Sequence, residues 1–124
     1  MGKSLPVVRI RHAASGAIIV PRAEKAATVF SRMRGLLGRS SLAEGDGMWI
    51  IPCPSIHTVR MRFEIDAVFL DSAFRVTRVC PGLAPGRWHV GGGKGARSVI
   101  ELPAGAAARH ALAVGDELAM EELP

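Results

Sequence analysis

VIELPAGAAARHALAVGDELAM, residues 99–120, is the stretch that decides the fold. Its apolar, β-prone start predicts a strand over 98–102. A short helix over 103–111 follows, because the proline at its start loses no hydrogen bond in a first helical turn. Gly115-Asp116 predicts a turn into a last strand over 117–120. This one stretch therefore predicts a strand, a helix, a turn and a strand in succession.

The unit is similar to the GD box of small cradle-loop barrels, in which a Gly-Asp turn closes a helix back onto a strand. The glycine permits the backbone turn, and we expect the aspartate to bond the amides that follow it. Some barrels of this class bind DNA as regulators, and others are protein or substrate domains. The resemblance therefore implies an architecture and no function.

The rest of the chain supplies further strands and a second helix. Apolar residues at spacings of three, four and seven predict a helix over 28–37. Further strands are predicted over 7–11, 17–20, 48–51, 65–70 and 75–80. The last two form a hairpin through a turn at 71–74. The sum is a small single α+β domain over 1–124, with a mostly antiparallel, β-barrel-like sheet and two short helices.

Composition narrows the class of protein. A chain of 124 residues, 48% hydrophobic and 22% charged, fits one globular domain and excludes disorder over most of its length. Two cysteines argue against a disulfide framework. No apolar run approaches the ~20 residues that span a bilayer, and the N-terminus lacks the apolar core of an export signal. We therefore expect a cytoplasmic protein with no membrane partner.

The net charge of +5 arises from 16 cations and 11 acids. The cations are spread along the chain and tyrosine is absent, which disfavours a nucleic-acid partner. Residues 81–96, PGLAPGRWHVGGGKGA, predict a flexible loop. Its GGGKG does not match a phosphate-binding loop, because Lys94 is followed by glycine and a strand instead of Ser or Thr and a helix.

Polar residues concentrate in residues 50–71, IIPCPSIHTVRMRFEIDAVFLD. Asp66 shares a strand face with Val68 and Leu70, so its carboxylate needs a partner in an apolar neighbourhood. The candidate partners are Arg34, His57, Arg60 and Arg62. A functional interpretation makes Asp66 and His57 an acid–base or ligand pair. A structural interpretation makes Asp66 a salt-bridge partner or the anchor of a turn.

Two other arrangements of chemically reactive side chains, a catalytic triad and a metal site, have weaker support from the sequence. A triad of Ser55, His57 and Asp66 has no support beyond proximity in sequence, and no Gly-x-Ser-x-Gly elbow is present. A metal site would use Cys53, His57, Cys80 and His89. Their spacing matches no zinc signature, and we predict no metal and no cofactor.

Several motifs occur in order along the chain. They are RMRGLLGR (32–39), GMW (47–49), PCPSIHT (52–58), MRF (61–63), IDAVFLD (65–71), IELPAG (100–105) and VGD (114–116). This pattern resembles domain-of-unknown-function family 192 over roughly residues 17–122. The resemblance implies a small β-rich α+β fold and no established activity, cofactor or substrate.

The resemblance also marks individual positions. They are Arg34, Gly35, Leu36, Gly38, Arg39, His57, Thr58, Met61, Asp66, Leu102, Pro103, Gly105, Gly115 and Asp116. The chain departs from the family pattern at Arg60 and Glu64, where Gly and Pro are expected.

These observations predict a non-enzymatic binding or accessory domain with a small polar or anionic ligand. The expected ligand pocket is formed by His57, Thr58, Arg62 and Asp66 and is covered by Arg34 and Trp88. A second hypothesis is a small hydrolase-like enzyme that uses His57 and Asp66 as an acid–base pair. A third is a nucleic-acid-binding module, suggested by the net charge and the GD-box similarity.

Overall fold

The structure is a computed structural model and describes residues 5–27 and 41–124. These residues contain nine strands and one short helix. The strands are β1 Val7–His12, β2 Ile18–Ala26, β3 Met48–Ile50, β4 Ser55–Ile56, β5 Ile65–Leu70, β6 Val76–Leu83, β7 Val90–Gly91, β8 Ser98–Pro103 and β9 Leu118–Glu122. The helix α1 spans Ala106–Arg109. The helix predicted over 28–37 lies outside the described residues.

Seven strands form one curled sheet in the order β6-β5-β8-β3-β2-β1-β9. β2 and β3 run parallel, and the other neighbours run antiparallel. The outer strands β6 and β9 approach each other at one end, where Arg75 bridges Glu117 and the Gly115 amide donates to the Val76 carbonyl at 2.8 Å. The fold is therefore β-rich, a half-barrel with little helix. β4 and β7 form a separate two-stranded ribbon.

The hairpin of β5 and β6 is confirmed. Its turn is held by Asp71, whose Oδ1 accepts the backbone N–H groups of Ala73 at 2.8 Å and Arg75 at 2.9 Å. The predicted end of β2 at Pro21 was wrong. The pairing of β1 and β2 shifts register around that proline, and such a bulge accommodates a residue without an N–H donor.

The helix near the C-terminus is shorter than the predicted 103–111. Pro103 ends β8, where it lies opposite Ile65, so this proline belongs to the sheet. The residue before α1 is Gly105, with a left-handed φ of 95° that favours glycine. The segment 81–96 is also partly strand, since β6 extends to Leu83 and β7 lies near its end.

The sheet buries apolar side chains on both faces. One cluster draws on all seven strands and includes Val68 and Leu70, so it fills the inside of the curl. The alternate residues Ala67 and Phe69 belong to a second cluster, which covers the outer face. We call these the inner and outer faces, and they decide which polar side chains can meet.

The ribbon lies on the outer face. Ile56 and Val90 of the ribbon both pack with the outer cluster. Next to β7, Gly92 lies against Phe69, and a Cβ built at Gly92 would collide with Phe69 Cδ1. Only glycine allows the chain to approach the sheet this closely.

Candidate functional site

Asp66 is completely buried and its carboxylate is fully occupied. Oδ1 accepts the backbone N–H of Gly82 at 2.8 Å, and Oδ2 accepts those of Gly105 at 3.0 Å and Ala107 at 2.9 Å. The last two amides belong to the start of α1, which has no capping side chain of its own. Asp66 therefore anchors β6 and α1 to β5.

These hydrogen bonds show which groups partner the buried Asp66 carboxylate. Asp66 is buried on the strand face that it shares with Val68 and Leu70, as predicted. Its partners are backbone amides, and no cation bonds it among the residues that the structure describes. The expectation of an arginine or histidine partner was wrong in that part of the chain. The interpretation of Asp66 as a structural anchor is the one that the geometry supports.

The sheet separates Asp66 from two of the predicted site residues, His57 and Arg62. His57 follows β4 on the outer side, and its side chain is exposed. Arg62 is also exposed and lies between Met61 and Phe63, which pack with the outer cluster. Asp66 points to the inner face, and the structure shows no hydrogen bond or ion pair between Asp66 and Ser55, His57 or Arg62.

Thr58 is buried and joins the loop before β5 to the loop after β6. Its backbone N–H donates to the Arg87 carbonyl at 2.8 Å, and its Oγ1 accepts the Arg87 N–H at 2.8 Å. The same hydroxyl donates to the Ala84 carbonyl at 2.7 Å, and the Thr58 carbonyl accepts the Gly86 N–H at 2.9 Å. These four hydrogen bonds fix the backbone that carries Trp88.

Two histidines flank one end of the ribbon. Its register pairs Ser55 with Gly91 and Ile56 with Val90, so His57 directly follows and His89 directly precedes the paired residues at that end. Both side chains are exposed, and neither imidazole makes a hydrogen bond with any described residue. Two polar rings therefore remain available to a ligand.

Trp88 lies beside this histidine pair and is 82% exposed. Four exposed arginines lie on the two loops joined by Thr58 or on the adjacent β6: Arg60, Arg62, Arg78 and Arg87. Arg78 donates to the Gly91 carbonyl of the ribbon. We call His57, Trp88, His89 and these four arginines the basic surface.

Ion pairing in the described residues is uneven. Arg9, Arg11, Lys25, Arg75 and Arg109 each pair with a glutamate. None of the four arginines of the basic surface forms an ion pair with a described residue, and Glu64 is the one exposed acid in the two loops. Three of the five paired cations, Arg9, Arg11 and Lys25, pair with Glu121 or Glu122 of β9.

Sequence reasoning missed Glu101. This side chain is 5% exposed in the central strand β8, flanked on the outer face by Ala67 and Met48. Burial raises its pKa from 4.5 to about 7. The signal was present in the sequence as a single charge within the apolar strand at 98–103.

The cysteines form no site with the histidines. Neither Cys53 nor Cys80 forms a disulfide, and Cys80 is buried on the outer face. Burial raises the pKa of Cys80, and the charges of Arg78 and Arg87 oppose part of that rise. Across the described ranges, no three His, Cys, Asp or Glu side chains are placed to hold a metal ion.

Two further observations complete the site. Arg34, expected to cover the pocket, lies outside the described residues. None of the helices in the described ranges is long and apolar enough to cross a membrane. Together, the observations define a small half-barrel domain with an internal carboxylate anchor and an exposed basic surface.

Comparison with known proteins gives the family. The family DUF192, described as an uncharacterised ACR, matches residues 10–120. The chain therefore belongs to DUF192, and the resemblance drawn from the sequence motifs is confirmed. No curated protein matches the chain.

Two solved structures share the fold. A protein of unknown function from Novosphingobium aromaticivorans DSM 12444 matches with a TM-score of 0.78 and 21% identity, covering 91% of this chain and 83% of its own. A provisionally assigned transcription regulator from Sinorhizobium meliloti 1021 matches with a TM-score of 0.79 and 22% identity, covering 96% of this chain and 98% of its own. At these identities the likeness shows the fold alone.

Proposed function

We propose that this protein is a non-enzymatic accessory domain that binds an anionic ligand on its basic surface. The observation that carries the proposal is the uneven ion pairing. Cations elsewhere in the described chain are mostly neutralised by glutamates, whereas Arg60, Arg62, Arg78 and Arg87 stay exposed without an ion pair. Guanidinium groups bind carboxylates and phosphates through paired N–H donors.

The preformed backbone supports binding at this surface. Thr58 fixes the loop that carries Arg87 and Trp88, so little ordering is required when a ligand arrives. His57 and His89 add two imidazoles without internal hydrogen bonds to described residues. Of the predicted site residues, His57, Arg62 and Trp88 face the ligand in this proposal, Thr58 positions them, and Asp66 anchors the fold.

The hydrolase hypothesis receives no support from the geometry. Its acid and base, Asp66 and His57, belong to opposite faces of the sheet, and the carboxylate is saturated by backbone donors. The Sinorhizobium protein is provisionally assigned as a transcription regulator. Its likeness to this chain concerns the fold, so the assignment adds no evidence for the function of this chain.

The test is a titration with sodium tripolyphosphate, followed by tryptophan fluorescence. Trp88 is exposed and Trp49 is 4% exposed, so ligand-dependent changes report mainly on Trp88. We expect saturable binding that weakens as salt is added, because exposed charges are screened. The double variant Arg62→Glu with Arg87→Glu should abolish it.

The matched control is Arg22→Glu. Arg22 is an exposed cation on β2 without an ion pair to a described residue, and β2 is four strands away from β6 in the sheet. It should bind tripolyphosphate as the unmodified protein does. Equal loss in both variants, or binding that is insensitive to salt, would contradict the proposal.

A further inference from the structure

Trp88 distinguishes the basic surface from a simple anion site. Its indole is 82% exposed, although Thr58 holds the surrounding backbone in place. A free inorganic anion would neutralise the arginines and change the charge near the indole, but it would not cover the indole. Exposed large apolar side chains held in a fixed position are typical of surfaces that a macromolecule covers.

The residue types of the surface favour a protein partner. Tryptophan and arginine are the types most enriched among the residues that dominate binding energy at protein interfaces. The basic surface as defined contains one tryptophan and four arginines, and it contains no lysine. The combination requires a partner that offers carboxylates to the arginines and an apolar group to the indole.

Single-stranded nucleic acid fits the surface less well. Such ligands stack successive bases on several aromatic side chains along a cationic groove. Among the described residues, the exposed large hydrophobic side chains are Ile18, Trp88 and Val114, so Trp88 is the one aromatic among them. A single aromatic side chain offers one stacking position, which stabilises bound single-stranded nucleic acid only weakly.

We propose that the partner of the basic surface is an acidic polypeptide segment that carries an apolar side chain. Its carboxylates would pair with Arg62 and Arg87, and its apolar side chain would cover Trp88. This inference rests on the proposed function, because it names the class of ligand for the same surface.

The experiment compares two synthetic peptides of equal length and equal negative charge. One contains only Glu and Gly, and the other replaces part of the Gly with Leu and Phe. Binding of each labelled peptide is followed by fluorescence anisotropy, with oligo(dT) as a third probe. We expect the apolar-bearing peptide to bind about tenfold more tightly than the Glu/Gly peptide, and oligo(dT) to bind less tightly than either.

Variants identify the source of this preference. Trp88→Ala should remove the difference between the two peptides and leave the weaker, salt-sensitive binding of the Glu/Gly peptide. Val114→Ala is the matched control, because Val114 is 67% exposed and is not part of the basic surface. It should preserve the preference.

The outcomes separate the two proposals. If no anionic probe binds in a salt-dependent way, the proposed function fails. If the anions bind but the apolar-bearing peptide gains nothing, or if the gain survives Trp88→Ala, the polypeptide partner is wrong. Tighter binding of oligo(dT) than of both peptides would replace the polypeptide with a nucleic acid.

Discussion

The Oδ2 atom of Asp66 lies 3.0 Å from the backbone nitrogen of Gly105, which places a carboxylate of β5 at the start of α1. The negative charge sits where the first N–H groups of the helix have no partner within the helix. Since α1 has only four residues, this contact from β5 is important for holding the helix against the sheet.

Asp66→Asn should lower the free energy of unfolding by about 3 kcal/mol, because an amide has one acceptor oxygen for three backbone donors. Urea unfolding measures the loss. Asp71→Asn is the control, since Asp71 accepts its two N–H groups through one oxygen in a turn at the protein surface. It should cost less than about 1 kcal/mol, and equal losses would mean that Asp66 is not an anchor.

Glu101 should make stability depend on pH. Its pKa rises from 4.5 to about 7 on folding, so the folded protein keeps a proton that the unfolded chain has released. The associated stability is complete below pH 4.5 and is lost as the pH rises to about 7. At 1.36 kcal/mol per pKa unit, the total loss is about 3 kcal/mol.

Glu101→Gln removes this titration. Urea unfolding of both proteins between about pH 5 and pH 8 should show a falling stability for the unmodified protein, and a flatter profile for the variant. Parallel profiles would show that Glu101 does not hold its proton in the folded state.

Thr58→Val tests the link between the two loops of the basic surface. The variant keeps the shape of the side chain but leaves the Ala84 carbonyl and the Arg87 N–H without their hydroxyl partner. We expect a loss of about 2 kcal/mol of stability and weaker binding of tripolyphosphate. Thr58→Ser keeps the hydroxyl and should retain most of the stability and of the tripolyphosphate binding. Equal losses in the two variants would show that the hydroxyl does not link the two loops.

Arg60→Gly should stabilise the protein. Arg60 has a φ of 71°, in the left-handed region that costs a residue with a Cβ about 1–2 kcal/mol. Glycine removes this strain but loses more backbone entropy on folding, so we expect a net gain of about 0.5 kcal/mol. Thermal unfolding with Arg60→Ala as the control measures it, because alanine keeps the strain and should bring no gain.

The local features of the fold follow from the sequence. The hairpin at Asp71, the strand at 98–103 and the inward direction of Asp66 depend on neighbouring residues and on strand alternation. The resemblance led us to expect glycine at position 60, and the positive φ of Arg60 is a conformation that glycine adopts without strain.

The arrangement of the site depends on strand and hydrogen-bond pairings that cannot be derived from the spacing of residues in the sequence. His57 and Asp66 are close in the chain, yet the ribbon carries His57 to the outer face while β5 turns Asp66 to the inner face. The partners of Asp66 are backbone amides, which have no residue-type signature. The aspartate of the Gly115-Asp116 turn likewise accepts the earlier Ala113 amide, instead of the following amides that the pattern suggested.

The position of β1 between β2 and β9 has a consequence for folding during synthesis. Residues 7–12 emerge from the ribosome early, but their second edge is paired only when residues 118–122 follow. Until then, β1 presents free N–H and C=O groups that can pair with another chain. We therefore expect the half-finished chain to be the state most prone to aggregate, and expression at lower temperature or with chaperones to improve recovery of folded protein.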